Sequence, residues 1–375
     1  MNEKNRELAI ALRHELHRHP ELSMEEVWTK QHLMKFLSEH TSLELVDRGR
    51  WFYAVYHSSS EKKLSPIAFR ADMDALPVEE KEGLCEYVSI YPGRGHKCGH
   101  DGHSAALAGF ALELDQKGGN RDICLLFQHA EETGQGAKEC LSFLKENNIS
   151  EIFAVHNMPG VSLGAVAAPV GTAQFASTGM TLHFHGQKSH ACYPENGKNP
   201  SFAIAKLILE LENIRESGKY KGMTLITVIE VKVGEHAFGT SAGEGELLLT
   251  VRGAFEEELK DLIRHIETFA GQLAEKEKLE LTVSFEDEFT DCWNHESSVK
   301  KILQAAAALS VPVEEMEEPF RASEDFGRFT KEVPGAIFYI GCGKEHAPIH
   351  TPGYDFPDEI LPVIVDLYGE IAKIV

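Results

Sequence analysis

The sequence predicts an α/β protein in which a mostly parallel sheet with flanking helices is interrupted by an inserted α+β segment of ferredoxin-like order. Three observations carry this. Apolar runs such as Ile67–Arg70, "DICLLFQ" and "GAIFYIG" alternate with helix-periodic stretches, and each empties into a polar loop. That is the pattern of strands and crossover helices in a parallel sheet. Between about residues 174 and 289 the order becomes strand, helix, strand, strand, helix, strand, a β-α-β-β-α-β unit. Beyond it the α/β pattern resumes, so residues 1–173 and 290–375 read as one domain and residues 174–289 as an insert.

Each element has a local reason. Leu8, Leu12 and Leu16 recur at helical spacing, and Pro20 ends that helix. Ser23 and Glu26 form an S-x-x-E capping box, which places a second helix near Met24. The strand at Ile67–Arg70 runs into an acidic loop that stops at Pro77. "HSAALAGFALELDQKGG" is rich in alanine and leucine and closes on Gly118-Gly119, a helix with its C-terminal stop. "EIFAVHNMPG" is again a strand entering a loop. In the insert, "MTLHFHGQ" alternates as a half-exposed strand does. A helix follows over about residues 199–216, then strands in "MTLITVIEVKVG" and "GEGELLLTVRGAF". The helix "EEELKDLIRHIETFAGQLAEK" and the strand "LELTVSFED" complete the unit.

Bulk properties exclude several function classes. A formal net charge of −22 argues against nucleic acid as a partner, because phosphate recognition needs a basic surface. No apolar run approaches the ~18 residues of a membrane span. The amino-terminal segment is charged and helix-periodic, unlike a signal peptide. The 7 cysteines are odd in number and irregularly spaced, so a disulfide framework is not expected and a cytoplasmic location is.

One stretch stands apart: "GRGHKCGHDGHSAAL", Gly93–Leu107, gathers His96, Cys98, His100, Asp101 and His103 between glycines. Cys98 and His100 form C-x-H, a thiolate and an imidazole suited to borderline divalent cations. A zinc finger is excluded, since no second ligand pair of finger spacing exists. "HAEETG" supplies neighbouring carboxylates, Glu131 and Glu132. In an extended loop they point to opposite sides, so one can bind metal while the other serves as a base. Asp72 and Asp74, the Glu131–Glu132 pair, His156 and His350 each follow an apolar strand. Sites in open α/β sheets form beyond the carboxyl ends of the strands, so these clusters are expected around one cavity.

"RHELHRHPELSMEE", "AFRADMDALPVEE", "GHKCGHDGHSA", "LLFQHAEETGQGA", "AVHNMPG", "SHACYPENGKNP" and "SEDFGRF" together resemble the metal-dependent amidohydrolase family. That family includes hippurate hydrolase, N-acyl-amino-acid deacylases and plant indole-acetyl-amino-acid hydrolases, and is related to aminoacylase and carboxypeptidase G-type enzymes. The resemblance runs in order from about residue 7 to residue 360. It implies a zinc-exopeptidase-like catalytic domain with two divalent metal ions (zinc, manganese, nickel or cobalt) and an inserted dimerisation domain.

Carried over residue by residue, the metal ligands are Cys98, His100, Glu132, His156 and His350, and Glu131 is the general base. His190, in "SHACYP" at the end of the first insert strand, corresponds to a histidine that polarises the substrate carbonyl. Related groups have a histidine ligand where Asp72 stands, so Asp72 and Asp74 read as supporting carboxylates, with Asp74 counted in the catalytic set. The segment "FGTSAGEGEL" departs from the N-x-I-P stretch of many relatives. His350 sits in "APIHTPGYDFP" rather than the commoner leucine-histidine setting.

The implied activity is hydrolysis of the amide bond of a small N-acyl amino acid or peptide-like substrate by a homodimer joined through the insert. Dipeptidase or carboxypeptidase action is the alternative reaction, and a catalytically silent binding protein on the same scaffold the alternative class.

Overall fold

A computed structural model describes residues 1–61, 64–316 and 318–375. The chain divides into two compact units: Met1–Ala173 with Cys292–Pro319 and Asp325–Val375, and Gln174–Asp291 with Phe320–Glu324. Phe320–Glu324 therefore joins the insert, where the sequence pattern assigned it to the flanking domain. Backbone pairing explains this: Phe175 N–H donates to Ala322 O, and Gln174 bridges Phe320.

The first unit begins with α1 (Glu3–Arg18), α2 (Val27–His40), β1 (Glu44–Asp47), β2 (Phe52–Tyr56) and β3 (Ile67–Asp72). It continues with α3 (His100–Lys117), β4 (Ile123–Gln128), the short helices α4 (Gly136–Cys140) and α5 (Ser142–Glu146), and β5 (Glu151–Pro159). Strands β6 (Val166–Ala167) and β7 (Gly171–Gln174) lead into the insert. The insert comprises β8 (Ala176–His185), α6 (Ser201–Ser217), β9 (Thr224–Val233), β10 (Glu244–Gly253), α7 (Glu256–Glu277) and β11 (Glu280–Phe289). The chain then returns as β12 (Cys292–Asn294), α8 (Glu296–Ala308), α9 (Gly327–Thr330), β13 (Gly335–Gly343) and α10 (Leu361–Ile374).

The main sheet has the order β1-β2-β4-β3-β5-β13-β6. Its centre, β4-β3-β5-β13, is parallel, and β1, β2 and β6 add antiparallel edges. The central strands are apolar almost throughout because helices cover both faces of such a sheet. Phe69 of β3 shows the result, with its ring centroid 5.1 Å from Phe110 of α3, 5.8 Å from Phe153 of β5 and 4.8 Å from Tyr368 of α10.

The second helix starts at Val27, later than the capping box predicts. The Glu21 carboxylate caps it instead, accepting the N–H groups of Trp28 (3.1 Å) and Thr29 (2.8 Å). Ser23 and Glu26 are taken up elsewhere, as described below.

The insert's sheet runs β11-β8-β10-β9, every pair antiparallel, which is ferredoxin-like order. Met180, Leu182 and Phe184 of β8 and Leu247, Leu249 and Val251 of β10 form its core with Leu207 of α6 and Leu262 and Ile266 of α7. The intervening β8 residues, His183 and His185, occupy the uncovered face. None of the described helices is long and apolar enough to cross a membrane.

Candidate metal centre

Because β3, β4, β5 and β13 are parallel, their carboxyl ends share one edge, with Asp72 opposite Gln128 and His156 opposite Tyr339. His156 lies within β5, which continues to Pro159, rather than after it. His100 is the first residue of α3, and Gly99 before it has φ +99°. A Cβ at Gly99 would sit 2.1 Å from Asn157 Oδ1, so only glycine joins Cys98 to His100 here.

The donor atoms converge. Cys98 Sγ lies 3.4 Å from His156 Nε2 and 3.4 Å from His350 Nε2. His100 Nε2 is 3.7 Å from Glu132 Oε1 and 3.9 Å from Glu131 Oε2, and His350 Nε2 is 3.6 Å from Glu132 Oε1. Two triads, Cys98–His100–His156 and Cys98–Glu132–His350, each keep their donor atoms within 4.8 Å of one another and share the thiol.

The histidine tautomers follow from acceptors that can only accept. His100 Nδ1 donates to Asp74, whose carbonyl and Oδ1 both lie at 3.0 Å, and His156 Nδ1 donates to the Asn157 carbonyl at 2.7 Å. Both Nε2 atoms are thereby aimed at the cluster. His100 Nε2 and Glu132 Oε1 are buried without a hydrogen-bond partner. Native structures leave few such atoms. A borderline divalent cation fits this thiol, imidazole and carboxylate set.

Electrostatics agree. Burial, reinforced by Glu132, Glu131 and Asp72, raises the Cys98 thiol well above its ordinary value. Burial and Asp74 push Glu132 up to about 7 against the pull of His100. Burial opposes the charged form of His100, yet Asp72 and Asp74 raise it to about 10. Positive charge is in demand at this point.

Neighbouring groups fix the donors. Asp74 Oδ2 accepts from Ser23 Oγ (2.7 Å) and from the Glu132 N–H (3.0 Å). Glu26 accepts the Ala130 N–H at 2.7 Å and so secures a residue held at φ +47° just before the glutamate pair. Arg70, fully buried, donates to Asp72 (2.6 Å), Asp325 (2.8 Å) and Gln128 (2.9 Å). His103 lies between Asp72 (2.6 Å) and Asn157 Oδ1 (2.7 Å), and Asn157 Nδ2 donates to the Cys98 carbonyl.

Cys98, His100, Glu131, Glu132, His156 and His350 are thus brought together. The reason given for splitting the glutamates is not the one the chain uses. Glu131 to Gly134 form a tight turn rather than an extended loop, and both carboxylates approach the same nitrogen, His100 Nε2. Asp74 touches His100 from behind and orients it.

His190 lies in the second unit, outside these donor groups. It sits in a loop beyond the end of β8 at His185, not at the strand's end. It is exposed, and its loop is zipped to residues 239–241 through Ala191 N–H to Gly239 O and Ser241 N–H to Ser189 O.

Sequence reasoning noted His103 and Glu26 without a role at the site and missed Arg70, Gln128, Asn157 and Asp325. Arg70 carried a usable signal: a cation inside an apolar strand must find buried anions.

The model of peptidase family M20/M25/M40 matches residues 68–374. An N-acetylcysteine deacetylase of Bacillus subtilis is 28% identical over 373 residues, covering 98% of this chain and 96% of that one. An N-acetyldiaminopimelate deacetylase of Bacillus velezensis is 26% identical over 377 residues, covering 98% and 100%. The crystal structure of the Bacillus subtilis YXEP protein, a dinuclear metal-binding peptidase of family M20, superposes with a TM-score of 0.84 at 25% identity, covering 100% and 99%. The chain belongs to peptidase family M20/M25/M40 and is a metal-dependent amidohydrolase.

Proposed function

We propose that this enzyme removes the acyl group from small N-acyl amino acids, with two divalent ions held by Cys98, His100, Glu132, His156 and His350. One observation carries the reading. Cys98 Sγ belongs to both donor triads, while His100 Nε2 and Glu132 Oε1 lie buried beside it without hydrogen-bond partners. The relatives' names support the substrate class, since both are deacetylases of N-acetylated amino acids matched almost end to end. The dinuclear description of the YXEP protein supports the ion count. Zinc, manganese, nickel and cobalt all suit the donors.

When bound, the ions supply Lewis-acid activation of water and of the scissile carbonyl. Glu131, beside the donors at 3.9 Å from His100 Nε2, accepts the proton of the attacking water and delivers it to the leaving amine nitrogen. Asp74 keeps His100 Nε2 turned inward. His190 donates a hydrogen bond to the carbonyl oxygen as negative charge develops there.

The same reading includes a homodimer. Phe202 and Leu209, two turns apart on α6, and Ile229 and Val231 of the edge strand β9 are exposed apolar side chains of the insert. Pairing across a two-fold axis would cover them and the edge. His190 then serves the partner's site. Mixing His190→Ala with Glu131→Ala chains should give each mixed dimer half of wild-type activity, about a quarter for a randomly exchanged equimolar mixture; no recovery after confirmed exchange refutes action in trans. The free thiols of all 7 cysteines fit a reducing cytoplasm.

The test of the site is a pair of substitutions followed by metal analysis and turnover of N-acetyl and N-benzoyl amino acids beside dipeptides. Glu131→Gln should keep its metal and lose ~10²–10⁴-fold in kcat. Glu132→Gln should lose metal. Reversed phenotypes would exchange the two roles, and preferential dipeptide cleavage would replace the deacylase reading.

A further inference from the structure

The uncovered face of the insert sheet carries a second set of donors. His183 and His185 share that face because strand side chains alternate with period two. β10 sets Glu246 opposite His183 and Glu244 opposite His185, and β11 sets Thr282 and Glu280 opposite the same two residues. His183 Nε2 and His185 Nδ1 lie 3.1 and 3.0 Å from one oxygen, Glu244 Oε2. The imidazole rings stack with centroids 3.9 Å apart at 28°. His185 Nε2 meets Thr282 Oγ1 at 3.1 Å, which leaves Nδ1 turned toward Glu244. A shallow groove of about 360 Å³, lined also by Lys232, Gly234, Gly245 and Glu246, opens at this cluster.

We propose that His183, His185 and Glu244 bind a borderline divalent cation of the zinc, nickel or copper class, with donors none of which belongs to the Cys98 set. Two imidazoles and a carboxylate are the ligand types such ions select. A tetrahedral shell with bonds of ~2.0–2.1 Å places neighbouring donors about 3.3–3.4 Å apart, so small ring rotations from the observed spacing open the site. The local charge also favours a cation. Glu244, Glu246 and Glu280 are directed to this face, against Lys232 on the neighbouring strand. Water completes the coordination on the open side. The ion would tie β8 to β10, the two central strands of the insert.

Zinc binding by equilibrium dialysis, on purified protein whose Cys98 centre is already loaded, tests this. The double variant His183→Ala/His185→Ala should bind one zinc ion fewer per chain than wild type and keep its turnover. Added zinc should raise the melting temperature of wild type but not of the double variant. Cys98→Ala leaves the insert donors intact and should still bind this ion. Loss of the ion in Cys98→Ala, or equal stoichiometry in wild type and the double variant, overturns the proposal. Should the double variant not fold, Glu244→Gln decides alone: weaker zinc binding supports the site, and unchanged affinity refutes it.

Discussion

Two buried polar clusters flank the first turn of α3, and neighbouring residues divide them: Asp101 belongs to one and His100 to the other. In the first, Arg13 Nε donates to Asp101 at 2.9 Å, and His17 lies 2.8 Å from Asp101 and 2.8 Å from Glu80. Arg13 also pairs with Asp355, and Lys97 with Glu80. Burial opposes the charge on His17, yet Asp101, Cys85 and Glu80 raise it to about 10. Glu80, despite burial, is held down to about 2 by His17 and Lys97. The second cluster has comparable burial, and its His100 is likewise raised to about 10, but Cys98 is driven well up and Glu132 up to about 7. The first neutralises its carboxylates with its own cations. In the second, His100 does not suffice for Cys98 and Glu132, which stay raised and call for a cation from outside the chain. The difference separates a structural network from a binding site more surely than the number of histidines does.

Cys98→Ala offers the hardest test of that contrast. It removes the donor common to both triads, so the ions of this centre and turnover should vanish together. After metal is stripped from both proteins, the variant and wild type should unfold at nearly the same urea concentration, because the thiol pairs with no cation of the chain. An alanine variant that retains two ions and normal turnover would make the loop merely structural. Asp325→Ala should behave in the opposite way. It leaves the fully buried Arg70 short of an anion, and breaking a buried pair costs about 3–5 kcal/mol. The urea midpoint should fall by the same amount with or without metal. A shift that appears only in the metal-loaded form would place Asp325 in the binding cluster rather than in the scaffold.

Much of the architecture was legible because it rests on periodicity. The apolar runs of β3, β4, β5 and β13 announce a covered parallel sheet, and the alternation of "MTLHFHGQ" announces a one-sided one. Cys98 and His100 were visible as a C-x-H pair, and the strand-end rule drew in His156 and His350. What stayed hidden depends on tertiary partners. Ser23 and Glu26 have the spacing of a helix cap, yet their oxygens go to Asp74 and the Ala130 turn, a destination that local spacing does not encode. The turn itself was unreadable because Ala130 adopts a left-handed backbone that its sequence does not favour. Asp325, remote in sequence from Arg70, meets it only after the insert has been traversed.

The smallest expected effect concerns pH and the first cluster alone. His17 is raised from 6.5 to about 10 in the folded state. Its ion pairs therefore stabilise the fold fully below pH 6.5, and that contribution is lost as pH rises through about 10. His17→Gln removes the titrating charge while keeping a side chain able to hydrogen-bond. Near pH 6 the variant should be less stable by about 1.5–3 kcal/mol, the usual worth of hydrogen bonds to charged groups. The gap should narrow steadily above pH 6.5 and nearly close by pH 10. Urea unfolding of both proteins at a series of pH values gives the curve directly. A constant gap across that range would mean that His17 is neutral in the fold, and that Arg13 and Lys97 alone balance Asp101 and Glu80. The first cluster would then be nearer to the second in kind than the geometry indicates.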